Sequence, residues 1–198
     1  MMLESIDRWM TAMVSDEGRG GEGPDVSMEA VVISKERGVI CGTFVIDRLL
    51  ETHYPSCSVE WKVSEGSIVE VGDEVLRISG NGVEMLRSER VLLNIIGRLS
   101  GISTNSSKWI NEAGSMGVAS TRKVDWGLLD KWAVHVGGGL THRLSREDAL
   151  MIKDSEVLSS RVGDETEDEA LARLVLEIDM DTNSSFTVIE VRDIEQAL

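Results

Sequence analysis

Between Thr121 and Asp154 the chain reads TRKVDWGLLDKWAVHVGGGLTHRLSREDALMIKD, gathering Arg122, Lys123, His142, Arg143 and Lys153 around three consecutive glycines. Six lysines and arginines stand against four acids from 121 to 153, in a chain whose net charge is −15. A basic island in so acidic a chain suggests a site for an anion rather than an ordinary solvated face. Arginine grips carboxylate or phosphate through two parallel N–H bonds, and lysine adds a compact charge. Several such groups around one pocket suit a small molecule with several negative groups. Gly137-Gly138-Gly139 lets the backbone approach closely or take positive φ. It is neither the dinucleotide fingerprint nor a Walker loop. Glu190 could hold a metal or a hydroxyl, and a Mg²⁺ ion there would need substrate phosphates as well. His53 and His135 lack this basic company and read as structural, while Trp126 and Trp132 read as core.

The elements that must position these residues follow from hydrophobic spacing. Leu3, Ile6, Met10 and Met13 share one helical face, and a glycine-rich linker follows at 16–25. Strands are expected at Ala30–Ile33, Gly38–Cys41, Val59–Val63 and Glu74–Ser79, with a helix over Thr43–His53 ended by Pro55. A long helix from Val83 to about Leu99 is apolar nearly all round, so it is expected to be buried centrally or against another subunit. Arg87, Arg90, Asn94 and Arg98 share a face of it. Gly101 is expected to interrupt the pattern before a second helix to Ala113.

From there one theme repeats. Strand Val118–Ser120 precedes a helix with Leu128, Leu129, Trp132 and Ala133; strand Ala149–Ile152 precedes a helix over Glu167–Glu177; strand Phe186–Ile189 precedes a helix from Asp193. Apolar strands alternating with helices indicate parallel β/α units. Each strand ends in charge, at Arg122-Lys123, Lys153-Asp154 and Glu190. In a β/α barrel the carboxyl ends of the strands form the active-site rim, so these charges are expected to converge. Three units do not close an eight-stranded barrel. The expected architecture is an α+β N-terminal sandwich domain over 1–100, ending in the long buried helix, followed by an incomplete α/β-barrel domain over 101–198.

With 41% hydrophobic and 28% charged residues the chain can bury a core. Its negative balance argues against nucleic acid as the main partner. Cys41 and Cys57 make neither a metal spacing nor a disulfide framework, and read as buried thiols in a reducing compartment. The N-terminus does not read as a signal peptide and no apolar run is long enough to span a membrane, so a soluble cytoplasmic protein is expected.

Four stretches in order resemble the quinolinate phosphoribosyltransferase family, also called nicotinate-nucleotide pyrophosphorylase (carboxylating). They are Glu89-Arg90-Val91-Leu92-Leu93-Asn94 with Leu99–Thr104; Thr121-Arg122-Lys123; Lys131-Trp132-Ala133-Val134 with Gly137–Gly139 and His142-Arg143; and Ile152-Lys153-Asp154. SDEGRGG at 15–21, with Pro24–Ser27, is similar to the family's acidic-glycine signature, and Val188–Val191 to its later glutamate-bearing strand. The resemblance implies a dimer with shared sites. Its reaction joins quinolinate to phosphoribosyl pyrophosphate with Mg²⁺, giving nicotinate mononucleotide, CO₂ and pyrophosphate in NAD biosynthesis.

Carried over, Arg90 reaches into the neighbouring subunit's site, and Arg122, His142 and Arg143 hold the quinolinate carboxylates. Lys123 and Lys153 meet the substrate and the phosphoribosyl group, and Glu190 acts on the ribose–metal side; these last three are the catalytic candidates. Departures from the family pattern fall at Val124–Gly127, Thr141, Ser155-Glu156 and Val188. Family members carry further strands with another acidic residue and glycine-rich phosphate loops, so the resemblance implies a C-terminally shortened barrel. Alternatives are a transferase for nicotinate or another small acid, or a non-catalytic homologue that binds an anion or pairs with a full-length subunit.

Overall fold

A computed structural model describes residues 2–18, 23–145, 148–177 and 186–197. Contacts divide the chain into two units, 1–142 and 143–198.

In the first unit, helix α1 (Met2–Asp16) buries Ile6 and Met10, one turn apart on the same face. Helix α2 (Thr43–His53) is tied to it by Arg48, whose Nε and Nη2 donate to the two carboxylate oxygens of Asp7 at 2.5 and 2.8 Å. Strands β1 (Ser27–Ile33), β5 (Glu74–Asn81) and β3 (Ser58–Trp61) form an antiparallel sheet in the order β1-β5-β3. Strands β2 (Gly38–Val39) and β4 (Ile68–Val69) make a second, two-stranded pairing. Strand β5 runs directly into helix α3 (Gly82–Ala113). Asn81 caps it, its side-chain oxygen accepting from the Val83 amide at 2.9 Å. Val45, Ile46 and Leu49 of α2 share one apolar cluster with Val91, Ile95 and Leu99 of α3 and Leu76 of β5. Burying each such side chain contributes roughly 1.5–3 kcal/mol. Cys41 and Cys57 are buried free thiols, and burial pushes both thiol pKa values up.

Two expectations are corrected here. The helix does not break at Gly101: α3 is one helix of 32 residues. A Cβ at Gly97 or Gly101 would meet open space. Each glycine therefore costs only its intrinsic penalty of about 1 kcal/mol, and Leu99, Ile102 and Ser103 anchor the helix around it. Val118–Ser120 is not a full strand; it contributes a single parallel bridge, Ala119 to Leu140, with Ser120 N donating to Leu140 O at 2.9 Å. Helix α4 (Leu128–Val136) lies between those bridged segments in sequence.

The start of α2 is capped from a distance. Glu65 accepts from the amides of Gly42 at 3.0 Å and Thr43 at 2.8 Å, and from Trp132 Nε1 of α4 at 2.8 Å. Helix-start amides have no partner within the helix, and here a residue beyond the next strand supplies one. Burial would push the Glu65 carboxyl up, but these donors outweigh it and hold the group below the usual carboxylate range.

The second unit pairs β6 (Leu150–Ile152) in parallel with β7 (Thr187–Ile189), as expected of β/α units. Helices α5 (Asp154–Ser160), α6 (Glu167–Glu177) and α7 (Ile194–Ala197) accompany them. Its small core joins Ile152, Val157, Ala170 and Leu171. Helix α5 is an addition to the expected elements, since only Val157 of it is buried. Glu156 reaches back to accept from the Lys153 amide at 3.0 Å; Lys153 has no acceptor to return, so the cap is one-sided. The acidic-glycine stretch at 15–21 lies outside the described residues from 19 onward.

Glu65→Gln removes the charge on which three donors converge and should cost about 1–3 kcal/mol of stability, read by urea unfolding. The folded-state pKa of Glu65 is depressed, so its contribution is complete above the ordinary carboxylate range and is lost as pH falls through the folded value. The gap between wild type and variant should therefore shrink from about pH 7 to about pH 3. A gap that stays constant over that span contradicts the capping role.

Candidate active site

The first turn of α4 carries two buried opposite charges, Asp130 at 4% and Lys131 at 2% exposure. Charges at that depth are tolerated only when paired and hydrogen-bonded. Asp130 accepts from Arg98 Nε at 3.0 Å and Nη2 at 2.8 Å, and from the amides of Asp125 and Trp126 at 3.0 Å each. The Arg98 guanidinium lies 4.9 Å over the Trp126 ring, which stacks on Trp9 at 6.2 Å. Arg98 is thus a strut between α3 and the loop before α4, not part of a solvated stripe. Lys131 Nζ donates to Ser120 Oγ at 3.1 Å and to Thr141 O at 2.6 Å. Ser120 Oγ also donates to Thr141 O, at 3.1 Å.

Ser120 and Thr141 close the two segments bridged at Ala119 and Leu140. Arg122 and Lys123 follow one of them and His142 the other, so the structure sets these three at the carboxyl ends of adjacent parallel segments. Arg122 and Lys123 are exposed, and neither makes an ion pair among the described residues. His142 is half-buried with φ 55°, the one non-glycine residue of positive φ among those described. Backbone in that region persists only where its surroundings impose it, and such positions cluster at functional sites.

The three glycines serve packing instead of cradling an anion. A Cβ at Gly137 would meet Ser103 O of α3 at 2.4 Å, and Gly138 has φ 93°. Their amides are occupied by the end of α4: Gly137 N donates to Ala133 O, Gly138 N to His135 O and Gly139 N to Val134 O. Trp132 is held by Glu65 and packs edge-on to Phe44 at 5.3 Å, in keeping with a core role. Arg90 is 75% exposed on α3, with a long 3.6 Å pair to Glu17, a geometry of little strength.

In the second unit Arg143 is buried at 7% exposure. Its Nη1 donates to Ala149 O at 3.1 Å and its Nη2 meets Met151 Sδ at 3.5 Å, while Nε has no partner among the described residues. This buried guanidinium therefore has a carbonyl and a thioether, and no carboxylate, as partners among the described residues. Lys153 and Glu190 follow Ile152 and Ile189, which are paired in register, and Glu190 N donates to Ile152 O at 2.9 Å. The parallel ladder therefore sets these two side chains at neighbouring strand ends. A cavity of about 350 Å³ opens there, with Asp154, Glu190, Arg192 and Gln196 on its wall. Arg192 is bound by Glu167 and Asp168. Among the described residues no three metal-type ligands are grouped. Asp154 and Glu190 put two carboxylates on one cavity wall, and a hard divalent cation can be held by one or two carboxylates when phosphates and water complete its shell.

Sequence spacing identified the strand-tip charges but not Asp130 as a buried acceptor, nor Lys131 beyond its place in a motif. The available signal was an adjacent acid and base at the start of an apolar helix, which does not by itself indicate burial.

Two family models match the chain: quinolinate phosphoribosyl transferase, N-terminal domain, over residues 10–100, and the C-terminal domain of the same family over 102–197. The chain is 34% identical over 197 residues to "nicotinate-nucleotide pyrophosphorylase [carboxylating], chloroplastic" of Arabidopsis thaliana, covering 92% of this chain and 56% of that protein. It is 36% identical over 140 residues to a probable nicotinate-nucleotide pyrophosphorylase [carboxylating] of Archaeoglobus fulgidus, covering 68% and 54%. Its fold matches NadC from Streptococcus pyogenes with a TM-score of 0.79 at 26% identity, over 97% of this chain and 70% of that one. This agrees with an α+β N-terminal domain and an α/β C-terminal domain. The chain spans about half the length of the curated relatives it matches.

Asp130→Ala should cost about 2–4 kcal/mol, because it strands Arg98 and two amides at once. Arg98→Met, which keeps the contact with Trp126 but not the charge, should leave Asp130 buried with only its two amides and cost a comparable amount. Chemical denaturation of both single variants and the double variant checks this. Additive losses would show that the two residues do not act as a pair.

Proposed function

The chain belongs to the quinolinate phosphoribosyltransferase family, and from that premise we propose that it transfers a phosphoribosyl group from phosphoribosyl pyrophosphate to quinolinate. The products would be nicotinate mononucleotide, CO₂ and pyrophosphate. The observation that carries this reading is the grouping of Arg122, Lys123 and His142 at two parallel segment ends, in a chain whose net charge is −15. Two exposed cations without an acid partner among the described residues are suited to a dianionic acid.

Arg122, His142 and Arg143 bind the two quinolinate carboxylates and orient the ring nitrogen toward the ribose carbon it attacks. Lys123 and Lys153 bear on the substrate and on the phosphoribosyl group, offsetting negative charge as the bond to pyrophosphate loosens. Glu190 faces the positive charge that develops on the ribose. Holding both reactants in line, with fixed charges aimed where charge develops, supplies most of such an acceleration. Mg²⁺, held through Asp154 or Glu190 and the substrate phosphates, would neutralise the leaving pyrophosphate.

We assign 1–100 to the sandwich domain and 101–198 to the barrel-type domain, a boundary supported by the meeting of the two family models at 100–102. A homodimer is the proposed assembly, with exposed Arg90 entering the partner's site. The two buried free cysteines support a reducing, cytoplasmic location, although named relatives are chloroplastic and mitochondrial.

Purified chain supplied with quinolinate, phosphoribosyl pyrophosphate and Mg²⁺ should release nicotinate mononucleotide and CO₂. Arg122→Ala should lower kcat/KM by about a hundredfold or more at an unchanged melting temperature, since Arg122 is exposed and braces nothing among the described residues. Turnover of nicotinate or another acid instead, or anion binding without turnover, would replace this assignment. Wild-type turnover by Arg122→Ala would remove Arg122 from the site.

A further inference from the structure

We infer that Lys131 is a positioning residue whose buried ammonium sets the two segment ends carrying Arg122, Lys123 and His142 at the separation needed to grip the substrate acid. The inference rests on the reaction proposed above. Burying a lysine to 2% exposure is costly, and apolar packing alone would be served better by leucine or methionine. What the ammonium does instead is specific. It binds Thr141 O at 2.6 Å, one residue before His142, and Ser120 Oγ at 3.1 Å, two residues before Arg122. One charged group therefore holds both tips at their roots.

The bond to Thr141 O fixes the peptide leading into His142, whose φ of 55° is a conformation an unbraced residue would leave. The bridged segments offer little restraint of their own. Their pairing is a single bridge, with hydrogen bonds from Ser120 N to Leu140 O and Leu140 N to Val118 O. Besides Lys131, the bond from Ser120 Oγ to Thr141 O at 3.1 Å links the two tips. Lys131 itself is too deeply buried to be a ligand of a substrate held by the exposed Arg122 and Lys123. It acts through them.

Four measurements on the full chain test this: melting temperature, calorimetric titration with quinolinate and with phosphoribosyl pyrophosphate, and the rate of limited tryptic cleavage after Arg122 and Lys123. Lys131→Met keeps most of the apolar volume and removes the charge. It should weaken quinolinate binding by about tenfold to a hundredfold and speed cleavage at both sites, while phosphoribosyl pyrophosphate, which Lys123 shares with Lys153 and Glu190, loses affinity by a clearly smaller factor. Should that variant fail to fold, Ser120→Ala removes one acceptor and leaves Thr141 O in place. It is expected to show the same changes in smaller measure at an unchanged melting temperature. Lys131→Arg should restore part of the quinolinate affinity. Folded Lys131→Met or Ser120→Ala that binds quinolinate and resists trypsin as wild type does overturns the inference. Equal loss for both substrates overturns it too, because it indicates general loosening. Wild type that fails to bind quinolinate sinks the reaction assignment instead, and the cleavage rates then decide the clamp alone.

Discussion

Two opposite charges side by side on one helical turn cannot remain dry unless their protons and lone pairs find partners. Asp130 and Lys131 meet that demand in different directions. The carboxylate collects Arg98 and two amides from the loop before α4; the ammonium collects a hydroxyl and a carbonyl from the segments on either side of that helix. Satisfying the two residues thus fixes the loop 124–127 and the ends at Ser120 and Thr141. Hydrophobic burial brings α3 and α4 together, but it has no direction. The direction comes from these few bonds, and the site inherits its geometry from them.

Much of this was legible from the order of residue types. Helix α2 begins and ends where expected because Pro55 stops it and its apolar spacing is regular. The strand-tip charges were legible because apolar strands followed by charge recur at a spacing that suits β/α units, and the parallel pairing of β6 with β7 agrees. Elements that depend on remote partners were not legible. Strand β4 is two residues long between turns. Helix α5 buries one side chain. Gly101 looked like a breaker because its neighbours, not the glycine, keep α3 continuous. Arg98 could be placed only on a helix face with Arg87, Arg90 and Asn94, because its partner lies 32 residues away. Lys131 stood out only as part of a motif, since nothing local tells a buried ammonium from an exposed one.

Three of the positions where this chain departs from its family's pattern share a physical trait. At 125, 126 and 141 the framework uses backbone atoms: two amides bind Asp130 and one carbonyl binds Lys131. Backbone atoms survive a change of side chain, so Thr141 can replace another residue without releasing the ammonium. At 156 the change is constructive, because the Glu156 carboxylate caps α5. Sequence divergence at these places therefore need not mean structural divergence. Conversely, the glycines that looked like ligand chemistry are bound up in closing α4.

Gly137 also governs how the protein can drift. Its missing side chain is what allows the end of α4 to rest on Ser103, and even a single methyl group there would collide with main chain that cannot swing aside. Such a change would lever the helix and loosen Asp130 and Lys131 together, without altering any residue that meets a ligand. A lineage could lose the proposed activity while every residue proposed to bind substrate stayed intact, and an inventory of those residues alone would still describe the descendant as competent.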